Sequence, residues 1–313
     1  MTPFYSFGNS DLAGFGRVTY NITPYDNFIR MATMSLEATQ FGAPGHQSYR
    51  KLKTGLEINF RNRTMTHPIS HKVIGNYIMA SDLSQIQLQE KAMMNSYVQL
   101  GYQLTNNSLI NPYSLLASYE AGKSHKKTSV ELIYKLSSEG ENNGLDMRFF
   151  AGTMLKTDSE IPFYSFSASG RSGSEQYLYQ GFYPDRFSEF PKSFFSRQMT
   201  LSEGGLVTPI NESLGYSQWL ISLSLSSTLP GKVSMLPVKP FINILLNDHG
   251  ISNSLKSPLF YEAGLKVGIW GFFEIHVPLL VSKNINSVTS SFKNRIRFVF
   301  SLDSLRKILL IDK

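Results

Sequence analysis

The amino-acid sequence predicts an all-β protein, an antiparallel transmembrane β-barrel of about 12 strands, within a range of roughly 10–16. Three observations predict this fold. Apolar and polar residues alternate with a period of two in many short runs that are separated by turn residues. Many of the runs reach about 9–13 residues, and a tilted strand needs about 9–11 to cross a bilayer. The 313 residues are 13% aromatic and only 17% charged, as expected when strands alternate between lipid and lumen.

The alternating runs follow one another from about residue 14 to about residue 302, with one interruption. Early in the chain, Leu56, Ile58 and Phe60 alternate with polar residues, and near the end Arg297 stands between two apolar residues. Turn residues such as Asn142, Asn143 and Gly144 separate the runs. The predicted strands lie at about 14–22, 28–41, 56–61, 71–81, 98–105, 112–122, 129–136, 144–155, 217–229, 237–247, 259–269, 272–282 and 295–302.

The alternation assigns side chains to two faces of the predicted barrel. The residues expected to face lipid are Ile221, Leu223, Leu225, Ile296, Phe298 and Phe300. The residues expected on the opposite face, in the lumen, are the charged side chains Arg295, Arg297, Glu262, Lys266 and Glu131. Pro240 and Pro278 fall inside two of the runs, where each lacks a backbone donor, so we expect a bulge or a lapse of pairing there.

One segment, Ser165–Leu206, interrupts the alternation. It is rich in Gly, Ser and aromatic residues and carries charges of both signs. A loop of this length is too long for a simple hairpin, and its aromatic rings would be costly to leave in water. We therefore expect it to fill the barrel as a plug, although a surface loop or one or two irregular strands stay open at this point. The plug candidates are Arg171, Glu175, Tyr177, Tyr179, Asp185, Arg186 and Arg197.

The sequence contains few signs of catalysis. It has no Cys, which excludes disulfides and thiolate metal sites. Its only pair of His residues spaced by four, His67 and His71, is interrupted by Pro68 and lacks the Glu of a zinc hydrolase motif. We therefore expect no cofactor, no metal and no enzymatic activity in this chain. The formal net charge is +7, but the basic residues are scattered, so nucleic acid is not an expected partner.

The second half of the chain resembles a known family in the order of its loops and strand ends. The residues that carry the resemblance are Leu201–Gly205, Trp219, Leu229-Pro230, Val238–Phe241, Phe260–Gly264, Phe273–Leu279 and Arg295–Phe298, with Asn111–Leu115 and Ser118–Glu120 further upstream. Over roughly residues 95–305, the chain resembles the C-terminal outer-membrane β-barrel region of Bacteroidetes proteins with an upstream zinc aminopeptidase domain of the membrane alanyl aminopeptidase type. The resemblance implies that the zinc ligands and the general base belong to that upstream domain.

These observations predict a single barrel domain, residues 1–313, in a bacterial outer membrane. No secretory signal opens the sequence, so we expect the chain to be part of a longer protein. The expected function is to anchor an upstream peptidase domain or a partner at the cell envelope, and the lipid bilayer and envelope proteins are the expected partners. Two alternatives stay open at this point: a channel or transporter that passes a small solute, and a soluble β-rich binding module.

Overall fold

The protein is described by a computed structural model. It describes residues 2–6, 11–24, 28–41, 49–61, 68–82, 94–123, 125–137, 144–157, 165–169, 197, 199, 203–210, 216–229, 236–248, 259–269 and 273–300. These residues form sixteen strands and two short helices. None of the helices in this part of the chain is long and apolar enough to cross a membrane.

The strands of the first half are mostly long, as the run lengths predict. They are β1 (Thr2–Ser6), β2 (Asp11–Ile22), β3 (Ile29–Phe41), β4 (Tyr49–Phe60), β5 (Ile69–Asp82), β6 (Met94–Asn106), β7 (Tyr113–Gly122) and β8 (His125–Ser137). Except for β1, with 5 residues, each has 10–14 residues, which fits the length needed by a tilted membrane-spanning strand.

The second half adds eight strands and both helices. They are β9 (Gly144–Thr157), β10 (Phe166–Ser167), β11 (Tyr216–Ser217), β12 (Trp219–Ser227), β13 (Val238–Asn247), β14 (Leu259–Ile269), β15 (Phe273–Val281), α1 (Lys283–Val288), α2 (Phe292–Arg295) and β16 (Arg297–Phe300). Arg295, the first residue of the run expected at 295–302, belongs to α2, and the last strand begins only at Arg297.

Fourteen strands form one sheet in which neighbours follow the chain order, β1 to β9 and then β12 to β16; β10 and β11 form a separate pair. The ladders are antiparallel. This confirms the predicted all-β antiparallel class, and the strand number lies inside the expected range. The two ends of the order are β1 and β16.

The chain divides into two compact units. Unit 1 comprises residues 1–134, 152–164 and 173–185, and unit 2 comprises residues 135–151, 165–172 and 186–313. Unit 1 therefore contains β1 to β7 and most of β8. Unit 2 contains the segment from Arg186 onward together with most of β9 and the short strand β10.

Pro278 marks a break in the ladder between β14 and β15, as expected from its missing donor. The register shifts between Ala263 and Gly264, and Gly264 is the partner of Pro278. A Cβ on Gly264 would lie 2.1 Å from the carbonyl oxygen of Val277, so only glycine fits this close approach. No such shift accompanies Pro240, which pairs with Leu265 in the ladder between β13 and β14.

Candidate functional site

One face of unit 1 is apolar and exposed. On β6, Leu100 is 52% exposed, and its neighbours across the ladders, Gly75 on β5 and Tyr119 on β7, lie on the same face. This reverses the arrangement of a soluble sheet, in which large apolar side chains are buried. We call this surface the apolar face of unit 1; its large exposed members are Val18, Tyr20, Met34, Leu36, Leu52, Leu56, Val73, Tyr77, Val98, Leu100, Tyr102, Tyr119, Val130 and Leu132.

The opposite face of unit 1, its polar face, carries buried charges. The ammonium group of Lys51 lies 3.3 Å from a carboxylate oxygen of Glu37, and the two side chains are 1% and 8% exposed. Lys51 and Glu37 are diagonal neighbours on this face, because Lys51 pairs with Thr39 and Lys53 pairs with Glu37 in the ladder between β3 and β4. A buried ion pair of this kind needs its partner, since an uncompensated buried charge is strongly destabilising.

A row of hydrogen-bonded side chains crosses four strands on the same polar face. Asn76 donates to Gln99 at 2.7 Å, and Gln99 donates to Glu120 at 3.2 Å. The other carboxylate oxygen of Glu120 lies 3.5 Å from Nε2 of His125. The row follows the register, because Asn76 pairs with Gln99 and Gln99 pairs with Glu120. Polar groups are thus satisfied by one another on the buried side of the sheet.

Unit 2 contains a buried segment, residues 203–210, that lies against the polar side of its strands. The carboxylate of Glu262 on β14 is wholly buried and accepts hydrogen bonds from the backbone N–H of Val207 at 2.5 Å and of Thr208 at 3.0 Å. Asn243 on β13 donates to the same carboxylate at 2.8 Å. Three donors to one buried carboxylate fix the segment firmly on the sheet. We call residues 203–210 the inner segment.

Glu203 fastens the start of the inner segment. Its backbone carbonyl accepts hydrogen bonds from Arg148 on β9 and from Ser222 on β12, each at 2.9 Å. Its carboxylate accepts a bond from the backbone N–H of Ser167 at 2.5 Å. Gly205 follows with a φ of +70°, and a Cβ there would lie 2.7 Å from Oγ of Ser224. Glycine is required because the left-handed backbone and the close approach to β12 both exclude a side chain.

Arg197 and Met199 lie along the last strand. The backbone N–H of Phe298 donates to the carbonyl of Arg197 at 3.2 Å, and the N–H of Met199 donates to the carbonyl of Phe298 at 2.8 Å. Both bonds to one residue give the parallel pairing pattern. The side chain of Met199 packs with Val207 and Phe241 in a small buried cluster.

The predicted lipid-facing residues fall into different environments. Ile221 is 42% exposed, and Leu223 and Leu225 are half-buried opposite Ile244 and Ile242 of β13. Phe298 is only 5% exposed, because the chain itself covers it, and its ring lies 5.4 Å from that of Phe273. Ile296 lies between α2 and β16, outside the strand, and Phe300 ends β16 as the ladder partner of Phe273.

The predicted lumen residues are mostly engaged with other groups. Glu262 holds the inner segment, as described. Lys266 lies 3.1 Å from the carboxylate of Glu274. Arg295 is part of α2 and donates to the carbonyl of Thr289 at 2.9 Å, and Arg297 is wholly buried. Glu131, on β8, is the ladder partner of Leu116.

Only part of the predicted plug lies within the described residues. Its two ends, Ser165–Ser169 and the stretch from Glu203 onward, pack in unit 2, where Gly204 and Leu206 donate backbone hydrogen bonds to Ser167 and Ala168. Arg197 also donates to the carbonyl of Lys293. The other plug candidates, Arg171, Glu175, Tyr177, Tyr179, Asp185 and Arg186, lie outside the described residues.

Two histidines, His71 and His276, have polar neighbours in the structure. His71 lies on β5 with Nδ1 2.6 Å from the hydroxyl of Tyr102, and His67 lies outside the described residues. Nε2 of His276 lies 3.5 Å from the carboxylate of Glu274. Across the part of the chain that the structure describes, no group of three or more His, Asp or Glu side chains could hold a metal ion.

Sequence reasoning missed the two residues of the inner segment that donate hydrogen bonds to Glu262. Val207 and Thr208 contribute through their backbone, which leaves no signal in the sequence.

Glu37 and Lys51 were also missed, although both occur in alternating runs with Leu36 and Leu52 on the other face. A charged residue at every second position of an apolar run is the signal that identifies this polar face.

Comparison with known proteins identifies the fold. BamA from Haemophilus ducreyi lacking POTRA domains 1–3 is similar with a TM-score of 0.51 at 10% identity, over 88% of this chain and 62% of that one. CdiB from Acinetobacter baumannii gives a TM-score of 0.45 at 13% identity, over 90% and 49%. This chain therefore spans less than two thirds of the BamA chain. No protein-family model matches the sequence, and no curated protein matches it.

The likeness to BamA shows the fold of a Gram-negative outer-membrane β-barrel, which agrees with the expected outer-membrane location.

Proposed function

We propose that this chain is a membrane-embedded barrel that anchors a preceding domain or a partner at the outer membrane. The observation that carries the proposal is the reversed polarity of unit 1, whose large apolar side chains are exposed while Glu37, Lys51 and Glu120 are buried. Such a surface needs hydrocarbon around it. The same exposure argues against the soluble binding module.

The anchoring role is supported by the inner segment of unit 2. Residues 203–210 are held on the polar side of β12 to β14 by Glu262 and Asn243 and by the contacts of Glu203. In this proposal, the segment and the residues before it act as a plug, with Arg197 as its described plug candidate. A filled interior suits an anchor better than a pore, since a pore needs an open aqueous path.

The residues that face lipid in this proposal are Ile221, Leu223 and Leu225 on β12, together with Ile296 and Phe300 near the end of the chain. Ile221 has the exposure expected of such a position. The chain itself covers the side chain of Phe298. We therefore propose that Phe298 is a packing residue of the last strand and does not face lipid.

We propose a zinc aminopeptidase domain as the first candidate for the anchored domain. The support is the resemblance of residues 95–305 to barrels that follow such a domain. The similar BamA structure, which lacks POTRA domains 1–3, also extends beyond the part that this chain matches. Two experiments test this candidate: a pull-down with the folded chain in detergent, and a reading of the sequence that adjoins the chain. If the domain found in this way has no zinc-ligand motif, the candidate is refuted.

Planar-bilayer recording tests the anchor proposal. The refolded chain should insert into lipid vesicles and stay electrically silent in a planar bilayer. Steady ion conductance of the unaltered chain would contradict the anchor. Failure to insert, with a folded chain in plain buffer, would contradict the membrane location itself.

One observation favours a channel as the second candidate function. On the polar face of unit 1, Lys72 and Glu57 form an ion pair at 3.2 Å, and their side chains are 26% and 37% exposed. Part of this face is therefore reached by water. If the bilayer recording shows conductance, replacing Lys72 with Gln should change its ion selectivity, because a charge that lines an aqueous path acts on passing ions.

A further inference from the structure

A shallow groove lies in the apolar face of unit 1. It has a volume of about 340 Å³, and Gly75 of β5 is one of the residues that line it. Two of its neighbours, Leu56 and Tyr77, are 40% and 46% exposed, so the groove opens to the surroundings of the sheet. The residues that line it are Met34, Thr54, Gly55, Leu56, Gly75, Asn76, Tyr77 and Val98.

The groove arises where the cross-strand register aligns a missing side chain with large ones. Met34 pairs with Leu56, Leu56 pairs with Gly75, and Gly75 pairs with Leu100. Directly opposed side chains on one face of a sheet normally touch each other. Here the row is interrupted at Gly75, which has no side chain. In the next row, Thr54 pairs with Tyr77, and the small side chain of Thr54 leaves further space.

The neighbours of Gly75 do not require a glycine. A Cβ at this position would lie 3.9 Å from Cδ2 of Leu100 and 4.0 Å from the carbonyl oxygen of Leu56, which is ordinary contact. On the adjacent strand, by contrast, a Cβ on Gly55 would lie 2.6 Å from Oγ of Ser35. Glycine inside a strand is destabilising relative to alanine. A glycine that its neighbours do not require therefore indicates that the space beside Gly75 has a use.

We infer that this groove binds one acyl chain of a membrane lipid. The inference rests on the proposed membrane location and goes beyond it, since it names a fixed binding position on a surface that otherwise meets lipid uniformly. The side chains that line the groove carry no formal charge, and the groove is continuous with the exposed apolar face. A hydrocarbon chain lying in it would contact Met34, Leu56 and Val98 and would replace the missing side chain of Gly75.

Quenching of a tryptophan reporter tests the groove. Trp219 and Trp270 are first replaced by Phe, and a single Trp is introduced as Tyr77→Trp in the groove or as Val130→Trp on the same face, outside the groove. The protein is held in mixed micelles, and a phosphatidylcholine brominated in its acyl chains is added at increasing mole fraction. We expect quenching at the groove reporter to reach half its limit at a several-fold lower mole fraction than at the control reporter.

Two further variants separate the groove from general lipid contact. Gly75→Leu, combined with the groove reporter, should remove the difference, because the leucine occupies the space. Ala117→Leu, which enlarges a side chain on the same face away from the groove, should leave it. Heat-dependent migration on a detergent gel checks that each variant folds.

Each result has one meaning. Equal curves for the two reporters would overturn the groove but leave the lipid-facing surface standing. Absence of quenching at both reporters would overturn the proposed membrane location of this face. Persistence of the difference in Gly75→Leu would also overturn the groove.

Discussion

The buried carboxylate of Glu262 on β14 is bound to the backbone of Val207, which precedes it by 55 positions. The oxygen that receives the N–H of Val207 also receives the side chain of Asn243, and the second oxygen receives the N–H of Thr208. One strand residue thus fixes the position of the inner segment. Since a carboxylate has only acceptors, it suits this set of three donors better than any other side chain.

Replacing Glu262 with Gln should release the inner segment. The amide has one acceptor oxygen and one NH₂ group, so one backbone N–H would face a donor. We expect the free energy of unfolding to fall by about 1.5–3 kcal/mol, the range for hydrogen bonds to charged groups. Hydrogen exchange at Val207 and Thr208 measures the local effect. Glu274→Gln, at a half-exposed carboxylate on β15, is the control and should leave exchange at these two residues slow.

Arginine on the apolar face of unit 1 should be more harmful than arginine on its polar face. Leu100→Arg places a charge at a position that is 52% exposed to the proposed bilayer, and we expect a loss of about 2–4 kcal/mol if it lies near the midplane. Gln103→Arg, on the other face of the same strand, should cost less. Denaturant unfolding of both variants in lipid vesicles gives the comparison, and equal losses would contradict the assignment of the faces.

The ion pair between Glu37 and Lys51 should show strong coupling. Each single replacement, Glu37→Gln or Lys51→Met, removes one of the two charges of this buried ion pair, and we expect a loss of about 3–5 kcal/mol for each. The double replacement should cost clearly less than the sum of the two. Unfolding free energies of the four proteins give the coupling energy, and additive losses would mean that the pair does not act as a unit.

Two glycines on neighbouring strands should respond to alanine in opposite directions. A methyl group at Gly55 would press on Ser35 and on the amide of Asn76, 2.8 Å away, and so disturb the bond from Asn76 to Gln99. We expect Gly55→Ala to be destabilising. Gly75→Ala has open space and should be neutral or stabilising, by up to about 1 kcal/mol. Thermal unfolding followed by circular dichroism measures both, and equal changes would contradict the geometry.

The long strands could be predicted from the sequence because their alternation is local. The run around Val98, Leu100 and Tyr102 identifies both the strand and its apolar face, and the structure has β6 there. The strand β1 was missed, since its five residues include Pro3 and show no alternation. The helices α1 and α2 were missed as well, because each is short and the charged residues near them continue the pattern of a strand.

The contacts of the inner segment could be predicted only in outline. The length and aromatic content of Ser165–Leu206 predict a plug, and the alternation predicts that Glu262 faces the lumen; both stay predictions. The partner of Glu262 could not be inferred, since a backbone N–H is common to nearly every residue and the choice of Val207 depends on the path of the whole segment. The central residues of that segment lie outside the described part of the chain.

The pairing of Arg197 and Met199 with Phe298 has a consequence for the behaviour of the protein at high concentration. A short strand such as β16 normally presents backbone donors and acceptors that another molecule can adopt as a template, which leads to edge-to-edge aggregation. At Phe298, both backbone groups are already used within the chain. Two molecules therefore cannot join at this position unless the chain first gives up two of its own hydrogen bonds, and the last strand is protected from growing into an intermolecular sheet there.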